Sequence, residues 1–198
     1  MLIHENFIPE LDLIKDDNIR NFATVALDLL PDYFADVAAS SSGKYHPKFS
    51  QGVGGLVKHT KAATRILSDL FRTNIFDYLT EHEKDLMLTA TLLHDGMKWG
   101  DDNAPLPHTV FGHPLLVANF VRTEPKLKLL LDSEDDLDII ADLVIAHMGK
   151  WNTNTHHDYE LPIPISREQK ILHMADYIAS RTYLTFDLES KPPRRWEK

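Results

Sequence analysis

Apolar residues recur at spacings of three and four along most of this chain, and this pattern limits the folds that it can adopt. Such spacing places apolar side chains on one face of a helix with about 3.6 residues per turn, whereas a half-buried strand requires strict alternation. Strict alternation is hard to find here. Because 198 residues are close to the size of one ordinary domain, the sequence predicts a single all-α domain over residues 1–198.

Capping and stop signals divide this pattern into separate helices. Thr80 with Glu83, and Ser166 with Gln169, have the spacing of capping boxes, in which two residues satisfy the first free amides of a helix. Pro31 stops the first long periodic stretch. The predicted helices cover residues 14–30, 33–38, 56–72, 81–97, 113–121, 133–147 and 167–184.

Two polar segments lie outside these helices. Residues 40–55 form the longest predicted loop, and residues 187–198 are expected to form a flexible tail because they are polar and contain proline.

The charge balance and the absence of cysteine restrict the function. Thirty acidic residues against 21 basic residues give a net charge of −9, which disfavours binding to duplex nucleic acid or to an anionic membrane. With no cysteine, disulfides, thiol nucleophiles and thiolate metal sites are excluded. No basic segment followed by an apolar run opens the chain, and no stretch approaches about 20 apolar residues, so we expect a cytoplasmic protein.

Histidine and aspartate at the ends of apolar helices are the candidates for chemistry. Asp95 ends a mostly apolar helix, and a buried charge without a partner costs several kcal/mol, which a divalent cation would offset. Each candidate taken alone is also explained as an ordinary core or surface residue. The candidate metal ligands, in chain order, are His59, His94, Asp95, His113, His147 and Asp176.

The order of these residues resembles the signature of the HD-domain superfamily of metal-dependent phosphohydrolases. Three segments carry the resemblance, which extends over about residues 50–185: GGLVKHT, LLHDGMKWG and ILHMADYIASR. The resemblance implies an HD-domain helical bundle in which His59, His94, Asp95 and Asp176 hold a metal ion.

Two further histidines are similar to those of the binuclear branch of this superfamily. His113 lies in VFGHPLL and His147 lies in IAHMGKW. The resemblance implies two divalent ions bridged by Asp95, with manganese, iron, cobalt, nickel and zinc all suited to such ligands. The alternative is a single metal ion, with His113 and His147 as ordinary residues at helix ends.

The resemblance also suggests how a substrate is bound. Lys98 matches a lysine of the family's His-Asp motif and, with Asp95, is a candidate catalytic residue that would neutralise a phosphate oxygen. Lys150, Arg181 and Trp151 are weaker candidates for substrate binding, with surface or core packing as the alternative. Trp99 is a second candidate for base stacking, again with core packing as the alternative.

The remaining histidines receive no ligand role. His173 lies three residues before Asp176 and is a candidate to support the site from behind, or to be a packed core residue. We expect His108, His156 and His157 to face solvent, and we assign no role to the other three histidines.

The chain is most similar to small stand-alone HD hydrolases of bacterial or phage type, and to the HD module of a bacterial exoribonuclease. It lacks the signature of the cyclic di-GMP phosphodiesterases and the acids that follow His-Asp in the alarmone hydrolases. The expected activity is hydrolysis of a phosphate ester of a nucleotide or short oligonucleotide by a metal-activated hydroxide. Two alternatives are an HD-type diiron oxygenase and a nucleotide sensor without turnover, and the oligomeric state stays open.

Overall fold

Helices form all the regular secondary structure in the part of the chain that the computed structural model describes, residues 2–131, 133–185 and 192. The prediction of an all-α fold is therefore confirmed. Short 3₁₀ turns link seven α-helices, which are α1 (Ile8–Leu11), α2 (Asp17–Asp28), α3 (Gly55–Phe71), α4 (Glu81–Leu93), α5 (His113–Thr123), α6 (Glu134–Ile145) and α7 (Arg167–Ala179). The predicted tail at 187–198 lies outside the described residues, apart from Pro192.

The central helix of the bundle is α4, which packs against α2, α3 and α6. Every residue from Lys84 to Leu93 is buried, as the apolar composition of this segment predicts. The predicted capping box at its start is present, with the Thr80 hydroxyl accepting from the Glu83 amide and the Glu83 carboxylate accepting from the Thr80 amide. The C-terminal end of α4 therefore lies inside the protein.

Four other helices surround this end. Helix α3 packs against α4 and α7, while α5 packs against α6, and α6 also contacts α4. Each of these helices carries one of the sequence motifs at or near the same end of the bundle. The packing thus brings together segments that are distant in the sequence.

Several predicted boundaries are wrong at helix ends. The segment predicted as a helix at 33–38 is a 3₁₀ turn at Asp32–Ala35, because the carbonyls of Asp36 and Val37 accept from the amides of Gly54 and Leu56 instead of continuing a helix. Helix α7 ends at Ala179, earlier than residue 184. Residues 3–11 form a 3₁₀ turn and α1, which the sequence pattern did not reveal.

The end of α4 is also earlier than predicted, and its replacement is a tight turn. After Leu93 the amides of Gly96 and Lys98 bond three residues back, to Leu93 and Asp95. A Cβ at Gly96 would lie 2.7 Å from the side chain of Leu30, so glycine permits the close packing of this turn on the end of α2.

Tyr33 and Trp99 hold the far side of the same turn. The Tyr33 hydroxyl donates to the carbonyl of Gly100 and accepts from the Trp99 amide at 3.2 Å. The indole N–H of Trp99 donates to the carbonyl of Ala38 at 3.0 Å, and the ring packs against the core. Trp99 is therefore a packing residue of this turn.

No helix in the described ranges combines the length and the apolar character that crossing a membrane requires.

Candidate metal centre

The six candidate ligands meet in one place, although they come from five segments of the chain. His59 lies in α3, His94 and Asp95 follow α4, and His113 opens α5. His147 follows α6, and Asp176 lies in the last turn of α7. The four histidines and Asp95 are buried, and only Asp176 is partly exposed.

Asp95 lies at the centre of this group. Its Oδ2 atom is 3.6 Å from Nε2 of His59 and 3.4 Å from Nε2 of His94. Its Oδ1 atom is 3.0 Å from Nε2 of His113 and 3.5 Å from Nε2 of His147. One carboxylate thus presents a separate oxygen to each of two pairs of imidazoles.

Asp176 closes one side of the group. Its Oδ1 atom is 3.0 Å from Nε2 of His59 and 3.6 Å from Nε2 of His94. The ligand atoms of these three residues lie within 4.8 Å of one another, and so do those of His94, Asp95 and His147. His94 belongs to both sets, so the two sides share an imidazole as well as a carboxylate.

Backbone hydrogen bonds orient three of the four imidazoles. Nδ1 of His94 donates to the carbonyl of Thr91, and Nδ1 of His147 donates to that of Val144, each at 2.7 Å. Nδ1 of His113 donates at 2.7 Å to Val110. The carbonyls of Val110 and Val144 also accept the backbone amides of His113 and His147, so each of these rings is held to the same turn as its own backbone. This arrangement places the Nδ1 proton away from the centre and leaves Nε2 to face it, as metal ligation requires.

Both aspartates are ionised in spite of their burial. Burial raises the pKa of Asp95, but the charges of Lys98 and His94 outweigh it, and the pKa lies well below its ordinary value. Burial also raises the pKa of Asp176, but its hydrogen bond with His59 and the charge of the nearby His94 bring the pKa well below the ordinary value. The centre therefore holds two carboxylate charges, of which that of Asp95 is fully buried.

The imidazoles respond to that charge in different ways. Burial lowers the pKa of His94, but Asp95 and Asp176 outweigh it and raise the pKa to about 10. Burial lowers the pKa of His113 to about 4 and also lowers the pKa of His59. The two carboxylates thus hold a positive charge on His94, which a bound cation would replace.

Unpaired polar atoms at the centre match the ligand set of a cation. Nε2 of His94 and Oδ1 of Asp95 are buried without a hydrogen-bond partner, which costs about 1–3 kcal/mol for each group. Nε2 of His113 and Nε2 of His147 are 3.2 Å apart, and both rings already donate through Nδ1. A cation shared by these two nitrogens would turn their close approach into ligation.

Lys98 contacts the centre directly. Its Nζ atom is 2.5 Å from Oδ2 of Asp95, and its side chain is 14% exposed. The ammonium group thus neutralises part of the carboxylate charge and also reaches the adjoining cavity.

A cavity of about 570 Å³ opens onto the group and includes His113, His147 and Asp176 in its wall. All four substrate-binding candidates of the sequence line it, namely Lys98, Lys150, Trp151 and Arg181. Trp151 stacks on Tyr177 with ring centroids 5.5 Å apart, and the Arg181 guanidinium lies 3.8 Å from the centre of the Tyr177 ring. Lys150 lies 5.0 Å from the centre of the Trp151 ring. Cations and aromatic rings therefore form one wall together.

Among the cavity residues that the sequence did not identify are four with aromatic side chains: Tyr45, His46, Phe111 and Tyr177. Phe111 and Tyr177 each lie within two residues of a candidate ligand, which is a usable signal. His46 lies in the predicted loop at 40–55, where no periodicity indicates a partner. Its ring contacts that of His59 edge to face at 5.3 Å, and burial lowers its pKa to about 3.

The other histidines occupy ordinary positions. His173 donates from Nδ1 to the carbonyl of His147 at 2.7 Å, so it supports that ligand through the backbone. His108, His156 and His157 are exposed, and His157 also stacks on Phe111 at 5.2 Å.

The comparison with protein families agrees with this geometry. The sequence model of the HD domain matches residues 56–181, which is more than half of the chain and contains all six candidate ligands. Curated proteins and solved structures give no match. HD-domain proteins are in general metal-dependent phosphohydrolases, and this chain belongs to the HD-domain family.

Proposed function

We propose that the protein is a binuclear phosphohydrolase that cleaves a phosphate ester of a nucleotide or short oligonucleotide. The position of Asp95 carries the proposal, because its two oxygens face two different pairs of imidazoles. A bridging carboxylate is the usual way to hold two divalent ions a few ångströms apart.

The ligands divide between two ions on this proposal. His59, His94 and Asp176 would hold one ion, and His113 with His147 would hold the other, while Asp95 would ligate both. Two such ions make a shared water acidic enough to act as hydroxide near neutral pH and hold the oxygens of an in-line displacement. Manganese, iron, cobalt, nickel and zinc all suit this ligand set.

The residues of the cavity wall would bind the substrate. A volume of about 570 Å³ is in the range of small-ligand sites, which supports a substrate the size of a nucleotide. Lys98, Lys150 and Arg181 would offset phosphate charge locally in a chain whose net charge is −9. Trp151 would contact a base, since aromatic rings stack on bases of any sequence.

The cavity favours a small substrate over duplex nucleic acid. The wall supplies three cationic side chains in one recess, whereas a duplex is bound by basic residues spread along many phosphates. We therefore propose a free nucleotide or the end of a single strand as the substrate.

The proposed activity is tested by a screen of nucleoside mono-, di- and triphosphates, cyclic dinucleotides and short oligonucleotides with each candidate metal. We expect release of phosphate or a nucleotide, without oxygen, in the presence of manganese. Turnover that consumes oxygen and requires iron would instead identify an oxygenase. Tight nucleotide binding without product over hours would identify a sensor, and either result would contradict the proposal.

Replacement of Lys98 is expected to separate catalysis from metal binding. Lys98→Met removes the charge that we assign to a phosphate oxygen but keeps all six ligands, so we expect kcat to fall about 10- to 100-fold at unchanged metal content. Metal analysis and steady-state kinetics measure the two effects. Lys128→Met, which changes an exposed lysine, is the control. Unchanged kcat in Lys98→Met would show that the ammonium group has no role in turnover.

A further inference from the structure

The four imidazoles of the centre differ in the hydrogen bond made by Nδ1, the nitrogen that faces away from the centre. His94, His113 and His147 each donate from Nδ1 to the carbonyl three residues earlier. His59 lies within α3, and its Nδ1 is buried without a hydrogen-bond partner. His59 is thus the candidate ligand whose orientation the backbone does not set.

A second unpaired imidazole nitrogen lies beside it. The ring of His46 meets that of His59 at a centroid distance of 5.3 Å and an angle of 66°. Nδ1 of His46 is also buried without a partner. A buried polar atom without a hydrogen bond is rare, and two of them on rings in contact call for a common explanation.

The loop that carries His46 is held in place. The side-chain amide of Gln51 donates to the carbonyl of His46 at 2.9 Å and to that of Gly43 at 3.1 Å. Pro47 follows directly, and its carbonyl accepts from both the amide and the hydroxyl of Ser50. The backbone of His46 is therefore fixed, so a change in the contact of its imidazole with His59 would require rotation of the side chain.

We infer that His46 is a positioning residue of the metal centre, in which Nδ1 of His46 accepts a hydrogen bond from Nδ1–H of His59 when Nε2 of His59 ligates a metal. This inference rests on the proposed function, because it requires His59 to be a ligand. The two nitrogens are not bonded in the structure, so the pair forms by rotation of the rings within their existing contact.

The pairing would give Nδ1 of His59 a hydrogen-bond acceptor, which Nδ1 of each of the other three imidazoles already has. A hydrogen bond at Nδ1 keeps the proton on that nitrogen, leaves Nε2 free for the metal, and raises the basicity of the ring. It would also satisfy both buried nitrogens at once. His46 would thus act through His59 and not through the reacting atoms.

Three variants of His46 test this inference by the atom that each one keeps. His46→Ala removes the acceptor, and we expect the affinity for Mn²⁺ or Co²⁺ to fall about 10- to 100-fold. His46→Asn places its amide oxygen near the position of Nδ1, so we expect affinity within a few-fold of the wild type. His46→Gln places its amide near the position of Nε2 and should resemble His46→Ala.

Metal titration by calorimetry and the absorption spectrum of the Co²⁺-loaded protein provide the measurements. We expect the Co²⁺ bands to shift in His46→Ala and to return in His46→Asn, which a purely structural role would not produce. Circular dichroism of the metal-free variants checks the fold. His108→Ala, which removes an exposed loop histidine, serves as the control.

The outcomes separate this inference from the proposed function. If the wild type binds no divalent metal, the proposed function fails. If the wild type binds metal and His46→Ala binds it equally well, the inference fails alone. Restoration by His46→Gln in place of His46→Asn would also overturn it, because it would assign the role to the other nitrogen.

Discussion

Replacement of Asp95 with alanine is expected to release both proposed metal ions and to lower turnover by about 10³-fold or more. The reason is geometric, since each oxygen of this carboxylate faces a different pair of imidazoles. Loss of the side chain therefore removes a ligand from both sides at once. Metal content by elemental analysis and initial rates on the substrate identified by the screen measure the two effects.

A comparison with His113→Ala tests whether the loss of both ions is specific to Asp95, the residue proposed to ligate both. That variant removes a ligand from one side only, so we expect it to retain one ion, held by His59, His94 and Asp176. Asp95→Asn keeps the volume and tests whether the alanine variant lost metal through unfolding. Asp102→Asn, which alters an exposed acid seven residues later, is the matched control. Full metal content and turnover in Asp95→Ala would refute the assignment of the site.

Gly149→Ala is expected to destabilise the metal-free protein by about 2–4 kcal/mol and to weaken metal binding at His147. Gly149 has a φ of 57°, which a side chain disfavours, and a Cβ there would overlap the His173 ring. His173 must then move, and its hydrogen bond to the carbonyl of His147 is lost. Urea denaturation and metal titration measure the two consequences.

Gly52→Ala separates the effect of backbone strain from the effect of the overlap with the His173 ring. Gly52 also has a positive φ, of 71°, but a Cβ there would meet no atom within 4 Å. We expect this variant to lose only about 1 kcal/mol from backbone strain and to bind metal normally. Equal effects of the two substitutions would show that the contact between Gly149 and His173 does not support the ligand.

Local sequence signals predicted the centres of the helices better than their ends. The capping boxes at Thr80 and Ser166 are present, because the residues that form them are neighbours in the chain. The predicted end of α4 at residue 97 is wrong, since the turn that replaces its last residues depends on Leu30 and Tyr33. Such contacts involve residues more than 60 positions away and leave no local pattern.

The order of histidines and aspartates predicted the membership of the candidate centre. These residue types stand at recognisable positions in their motifs, and the packing of α3 to α7 brings all six together. Lys150, Trp151 and Arg181 follow candidate ligands closely in the chain, so their place in the cavity wall also follows from the motifs.

Local periodicity was enough to predict an all-helical chain, whereas the six candidate ligands followed from the resemblance of its motifs to the HD domain. Neither periodicity nor residue type specified the distances from the two Asp95 oxygens to their imidazoles, or the contact of His46 with His59. Helix periodicity and capping depend on residues within a few positions of each other, whereas these two features depend on how distant segments pack. A loop residue such as His46 acquires its neighbours only when the chain is folded.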